Sequence, residues 1–217
     1  MSEILMYVSN GLIIISFLLY LILMLINRKN IIEGKDGFNV TKDILHEYDS
    51  INIIENAGYF TIYNIKRRVI KIASRCYYGN NISDIAIPLI EAGISGIDNG
   101  KNKVINFFRK IIPNLKCLYV LPLLAISINS ITYNISDAKI GLVFLVIFSF
   151  ICYYLININT EVLMWVDERI KKLRDINQNN KMKIINYINN ILIINKILFI
   201  GQLVMIIRFV AIILQID

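Results

Sequence analysis

Long runs of uncharged, mainly apolar residues alternate with polar segments along the chain, and four runs approach the length of a membrane span. They cover residues 4–27, about 117–136, 140–160 and about 191–214. Crossing about 30 Å of hydrocarbon takes about 20 helical residues. The pattern therefore predicts about four transmembrane α-helices. The second and third are separated only by a few residues that include Asp137 and Lys139, so they form a helical hairpin.

The first and last runs differ in their flanking and internal charges. No basic residue precedes the first run and no small-residue cleavage site follows it, which indicates an anchor rather than a removable signal peptide. The last run contains Lys196 and Arg208, each near one end. We interpret both as cations that reach the membrane interface with their long side chains; the alternative is an intramembrane site.

The polar segments between the runs carry most of the basic residues. Residues 27–114 contain 13 Lys and Arg against 9 Asp and Glu, and residues 157–190 contain 6 against 4. Four crossings place both segments on one face, which the positive-inside rule makes cytoplasmic. The chain is then integral to the plasma membrane with both termini outside. Topology thus explains the formal charge of +7, and nucleic acid is not expected as a partner.

Residues 34–99 have the pattern of a folded cytoplasmic α+β domain. Thr41 is a plausible N-cap for a helix that continues to about Tyr48. Strand-like runs follow at 51–54, 60–65 and 68–73, and the last two are close enough to form a hairpin. A largely apolar helix is predicted over residues 82–97, with Pro88 inside it as a possible kink.

The whole chain therefore divides into five segments. Between the domain and the hairpin, residues 103–112 have helical spacing of apolar residues beside Arg109 and Lys110, which predicts an interfacial helix or, alternatively, a core-packing one. Trp165 is expected to anchor the amphipathic helix 161–173 at the interface. The predicted division is an anchor (1–27), the α+β domain (34–99), the interfacial helix and hairpin (103–160), a cytoplasmic helix and loop (161–190) and a C-terminal span (191–217).

Composition narrows the possible chemistry. Hydrophobic residues make up 56% of the 217-residue chain and charged residues 18%, which excludes a disordered protein. The three cysteines are widely spaced and form neither a disulfide framework nor a cysteine zinc site. The chain has a single histidine, His46, in a polar helix, where a solvated side chain is the expected role.

Glu91 is a lone carboxylate in the apolar helix of the domain, surrounded in sequence by Ile87, Ile90, Ile94 and Ile97. Two interpretations of it remain open. In the first, it pairs with a nearby base or points to water. In the second, a carboxylate in these apolar surroundings serves as a general base.

Several short landmarks, in order along the chain, resemble the YugP-type membrane-bound neutral zinc metallopeptidases. The resemblance implies one N-terminal membrane helix, a zincin-like α+β domain with a His-Glu-x-x-His helix, and further membrane helices. The landmarks are residues 41–44 opening the first helix, 63–72 as the strand pair, Tyr77-Tyr78-Gly79 before the site helix, Glu91-Ala92-Gly93 within it, and Thr160-Glu161 beyond the third span.

The resemblance also implies positions for the site, and there the chain departs from the family. Ile90 and Ile94 occupy the two histidine positions, Glu91 the general-base position, and Glu161 the candidate third-ligand position. Isoleucine cannot bind zinc, and a catalytic zinc needs three protein ligands. We therefore expect no metal, no cofactor and no competent catalytic residue. The expected function is that of an inactive family member that contacts membrane lipid and binds a membrane-protein partner or an active paralogue.

Two alternatives belong to other classes of function. One is an active metallopeptidase with relocated ligands, namely Glu91 and Glu161 with His46 or Asp98. The other is a small transporter based on Lys196, Gln202 and Arg208 in the last span. At about 100° per helical residue, these three side chains point around the helix rather than to one face.

Overall fold

A computed structural model of the chain describes residues 2–46, 50–64, 67–98 and 160–213. These residues form two compact units. The first contains residues 2–20 and 193–213, and the second contains the remaining described residues. In chain order the elements are α1 (Ser2–Asn27), α2 (Gly37–Leu45), β1 (Asn52–Asn56), β2 (Ile62–Asn64), β3 (Val69–Ala73), α3 (Ser74–Tyr78), α4 (Ile82–Asp98), α5 (residues 160–170) and α6 (Gln178–Ile213).

The fold class of the described chain is mixed α+β, mostly helical with one small sheet. Two helices, α1 and α6, contain stretches long and apolar enough to cross a membrane, which indicates membrane association. The predicted second and third spans and the predicted helix 103–112 lie outside the described residues. The polar segment 178–190, predicted as part of a loop, is helical and continuous with the rest of α6.

The first unit is built from the N-terminal part of α1 and the C-terminal part of α6. Gly201 brings the two helices close, because a Cβ there would lie 3.0 Å from the Leu12 Cβ and 3.3 Å from the Ser9 carbonyl oxygen. Small residues allow this kind of approach between membrane helices. The Ser9 hydroxyl is buried and donates to the Met6 carbonyl at 3.0 Å, so it is satisfied within its own helix.

The second unit contains a three-stranded sheet in the order β1-β3-β2. β1 runs parallel to β3 with Asn56 opposite Ala73, and β2 runs antiparallel to β3 with Tyr63 opposite Ile70. The predicted hairpin of the last two strands is confirmed, and all three strands fall at the predicted places with slightly different bounds. The central strand β3 buries Ile70 and Ile72, and β2 lies at an edge.

The helix before the sheet differs from the prediction at both ends. Asp36, not Thr41, is the N-cap of α2, and its Oδ1 accepts from the Asn39 N–H at 2.7 Å. Thr41 lies one turn inside the helix, buried, and its hydroxyl donates to the Gly37 carbonyl at 2.6 Å. The helix ends at Leu45, with His46 exposed at the C-cap.

Two helices follow the sheet where the sequence predicts one. The short α3 leaves β3 directly, and its Tyr77 ring stacks on Phe38 of α2 with centroids 4.6 Å apart. The predicted long helix is confirmed as α4, which contains Pro88 in a single element. Ala92 of α4 joins the buried core formed with Leu45, Ile70, Ile72 and Cys76.

Candidate functional site

α4 carries the two buried carboxylates that the structure describes in the second unit. Asp84 and Glu91 are 3% and 4% exposed, and their separation of seven residues places them about two helical turns apart. Asn81 caps the helix, because its Oδ1 accepts from the Asp84 N–H at 2.9 Å and from the Ser83 hydroxyl at 2.6 Å. The first carboxylate thus lies at the start of α4 and the second in its middle.

Glu91 binds the edge of the sheet. Its Oε2 accepts a hydrogen bond from the Tyr63 backbone N–H at 2.8 Å. In an antiparallel pair, alternate residues of an edge strand direct their N–H groups away from the partner strand. The Glu91 carboxylate is therefore the acceptor for an N–H that β3 does not satisfy. A carboxylate makes a stronger bond to such a group than a neutral oxygen would.

Ile90 and Ile94, at the predicted histidine positions, flank Glu91 one turn apart on α4. Both are half-buried. Two side chains at this spacing lie on one helix face, which is the arrangement that two zinc-binding imidazoles need. A hydrocarbon side chain has no lone pair for a metal, so the residues here do not fit the zinc that the resemblance implies.

The other groups considered as metal ligands lie on different elements. Glu161 is exposed in the first turn of α5, His46 is exposed at the end of α2, and Asp98 is the last residue of α4. Within the described ranges, no three His, Cys, Asp or Glu side chains are grouped closely enough to hold a metal ion.

The small residues after Glu91 serve the packing of α5 on α4. A Cβ at Gly93 would lie 2.8 Å from the Val162 Cγ1, and a Cβ at Gly96 would overlap the Trp165 ring. The half-buried Trp165 therefore packs on α4 within the second unit, and its role as an interface anchor stays a prediction. Its ring also lies 3.9 Å from the Arg169 guanidinium carbon. The apolar period of residues 161–173 predicted this helix but not its partner.

Asp84 is a buried acid that the sequence reasoning missed. Its Oδ1 lies 2.9 Å from the Arg75 Nε, and its Oδ2 accepts from the Asn81 side-chain amide. Burial raises the pKa of Asp84 above its ordinary value, while Arg75, Asn81 and the more distant Arg28 act in the opposite direction. The available signal was an acidic residue three positions after an asparagine, at the start of a helix.

The three side chains of the transporter hypothesis differ in their surroundings on α6. Lys196 is exposed, Gln202 is fully buried and Arg208 is half-buried. Neither amide atom of Gln202 has a hydrogen-bond partner among the residues described. These exposures agree with side chains that point around the helix.

The likeness to zinc metallopeptidases stands on short landmarks of the sequence. The function of the Glu91 region is accordingly inferred from its own geometry and chemistry. No protein-family model, no curated protein and no solved structure matches this chain.

Proposed function

We propose that this chain is a membrane-anchored, catalytically inactive relative of the YugP-type zinc metallopeptidases that acts as a binding or regulatory partner. One observation carries the proposal. The carboxylate at the general-base position, Glu91, accepts a backbone hydrogen bond from Tyr63 and is flanked by Ile90 and Ile94. Glu91 therefore joins α4 to the sheet. The two positions at which the family has metal ligands carry hydrocarbon side chains.

The chemistry of a zinc peptidase explains why this arrangement supports inactivity. A zinc ion held by two imidazoles would supply an acidified water, and a glutamate beside it would serve as the base. Among the described residues, Glu91 has no ligand pair beside it to hold such a metal. The half-buried isoleucines fill the corresponding space and favour the folded state by removing apolar surface from water.

The proposal also includes the number of membrane spans and the side of the membrane on which the domain lies. α1 and α6 cross the plasma membrane together with two further spans predicted within residues 117–160. The zincin-like α+β domain faces the cytoplasm, because both basic segments of the sequence must lie on one side of four crossings. The partner is then a protein of the same membrane, such as an active paralogue.

A peptidase assay on the purified, detergent-solubilised protein tests the proposed inactivity. Native protein and the Glu91→Gln variant are incubated with a mixed peptide library in the presence of added zinc, and cleavage is followed by mass spectrometry. We expect no cleavage above the protein-free blank in either sample. Cleavage by the native protein that Glu91→Gln abolishes would contradict the proposal, because the amide keeps the shape of the side chain but cannot act as a base.

A labelling experiment tests the topology separately. Lys172→Cys and Asp217→Cys are made in a background without the three native cysteines, and intact cells are treated with a membrane-impermeant maleimide. We expect labelling at position 217 only, and labelling at 172 after permeabilisation. Labelling of position 172 in intact cells would contradict a cytoplasmic domain.

A further inference from the structure

Aromatic side chains are exposed at one end of the sheet. Tyr59 is 97% exposed, Tyr78 66% and Phe60 52%. We call these three residues the aromatic surface. Groups of exposed apolar side chains usually mark a contact with another molecule or with a membrane.

Hydrogen bonds connect the segments that carry this surface. The Tyr78 hydroxyl donates to the Glu55 carboxylate at 2.8 Å, which joins α3 to β1. The Asn56 side-chain amide donates to the Phe60 carbonyl at 2.9 Å and holds the loop after β1. The Ser74 hydroxyl donates to the Asn56 carbonyl at 3.2 Å. The three residues therefore lie on segments that meet at the end of the sheet where β3 runs into α3.

The same end of the sheet contacts the last turn of α1, within the second unit. Arg75, three residues before Tyr78, has its Nη1 4.0 Å from the Met24 Sδ. Met24 lies three residues before Asn27, the end of α1. Arg28 and Lys29 follow directly and are exposed, as is Arg75. Arg28 and Lys29, together with Arg75, which pairs with Asp84, therefore lie where a membrane-spanning α1 would emerge from the hydrocarbon.

We propose that the aromatic surface, with Arg28, Lys29 and Arg75, rests on the headgroup layer of the cytoplasmic leaflet. Tyrosine is enriched at this depth because its ring is apolar and its hydroxyl is polar. Basic side chains at this depth are attracted to the anionic lipids of the leaflet. The occupant of the surface is lipid because the contact with Met24 makes the surface continuous with the end of the span. This inference rests on the membrane-spanning α1 of the proposed function.

Tryptophan fluorescence in nanodiscs tests this contact on the full chain. Tyr59→Trp and Tyr78→Trp are reconstituted with phospholipids brominated near the headgroup, which quench only nearby rings. Trp165 is the only native tryptophan, so the quenching measured for the parent protein is subtracted from every variant. Arg67→Trp, in the exposed turn between β2 and β3 at the opposite end of the sheet, is the matched control. Leu19→Trp, eight residues inside the end of α1, reports the span itself and is measured with phospholipids brominated deep in the acyl chains.

We expect Tyr59→Trp and Tyr78→Trp to be quenched several-fold more strongly than Arg67→Trp. We also expect quenching at position 59 to be weaker in nanodiscs without anionic lipid. In nanodiscs with anionic lipid, Arg28→Gln and Lys29→Gln should weaken it as well. Quenching at position 59 no stronger than at 67, with Leu19→Trp strongly quenched, would overturn the lipid contact and leave the anchor intact. An unquenched Leu19→Trp would instead overturn the anchor itself. The position-59 side chain is almost fully exposed, so its replacement leaves the fold unchanged.

Discussion

The two halves of α4 hold their buried carboxylates in different ways. Asp84, in the first half, is surrounded by side chains from residues 75–84, including the Arg75 guanidinium at 2.9 Å. Glu91, in the second half, accepts from the Tyr63 backbone, 28 residues away in sequence. The first carboxylate completes a local helix cap and ion pair, whereas the second connects a helix to the edge of a sheet. The position to which the sequence resemblance assigns the general base thus makes a structural contact in this chain.

The largest expected effect is on the first half of α4. Asp84→Ala removes the partner of Arg75 and of the Asn81 amide, and we expect a loss of about 2–4 kcal/mol in the free energy of unfolding. Guanidinium titration in mild detergent, followed by circular dichroism, measures it. Asp43→Ala is the control, since it removes a more exposed carboxylate, 2.9 Å from the Lys35 Nζ, and should cost less than about 1 kcal/mol. Equal losses would contradict the importance of the Asp84 cluster.

A smaller loss in the free energy of unfolding is expected for substitutions in the second half of α4. Glu91→Ala removes the acceptor of the Tyr63 N–H and should cost about 1–3 kcal/mol, whereas Glu91→Gln keeps a carbonyl acceptor and should cost less than about 1 kcal/mol. Hydrogen exchange at the Tyr63 amide is the direct measurement: it should be faster in the alanine variant and nearly unchanged in the glutamine variant. Equal damage by both substitutions would show that the charge, and not the hydrogen bond, holds the position.

A change in the packing of α5 on α4 is expected to have a more moderate effect on the free energy of unfolding. Gly96→Ala places a Cβ into the Trp165 ring, so α5 must shift, and overpacking of this kind costs about 1–3 kcal/mol. Gly11→Ala is the matched control, because a Cβ there meets nothing within 4 Å. Fluorescence of Trp165 should change in the first variant only. An unchanged spectrum and stability for Gly96→Ala would contradict the close approach of α5 and α4.

The smallest effect is the pH dependence of Asp84. Because burial raises the pKa of this carboxyl in the folded state, the folded protein holds its proton more tightly than the unfolded chain does. The stability that this proton adds is therefore complete below the ordinary pKa of 3.8 and is lost as pH rises through the raised value, whereas the bonds of the carboxylate to Arg75 and Asn81 remain. Stability of native protein relative to Asp84→Asn should fall with pH over that window. A relative stability that rises there would contradict a raised pKa.

The sequence predicted the helices and strands whose own residues show a regular apolar pattern. The alternation of residues 68–73 placed β3, and the apolar run after residue 82 placed α4 in spite of Pro88. The short α3 was missed because five residues are too few to show a helical period, and short helices depend on tertiary packing. Here that packing is the stacking of Tyr77 on Phe38.

The arrangement of the site required contacts that no local pattern contains. The sequence indicated that Glu91 was unusual, but its hydrogen bond to Tyr63 depends on the order β1-β3-β2, which leaves β2 at the edge beside α4. Asp84 was hidden for a related reason. Its partner Arg75 lies on α3, a helix that the sequence did not predict. The pairing of strands and helices distant in sequence decided both positions.

The zinc content of the purified protein tests most directly the central claim that the α4 site has lost its metal. Native protein and an Ile90→His, Ile94→His double variant are dialysed against the same zinc buffer and analysed by inductively coupled plasma mass spectrometry. We expect the native chain to retain no bound zinc and the double variant to take it up, because two imidazoles one turn apart beside Glu91 restore the missing donors. Stoichiometric zinc in the native chain would contradict the claim.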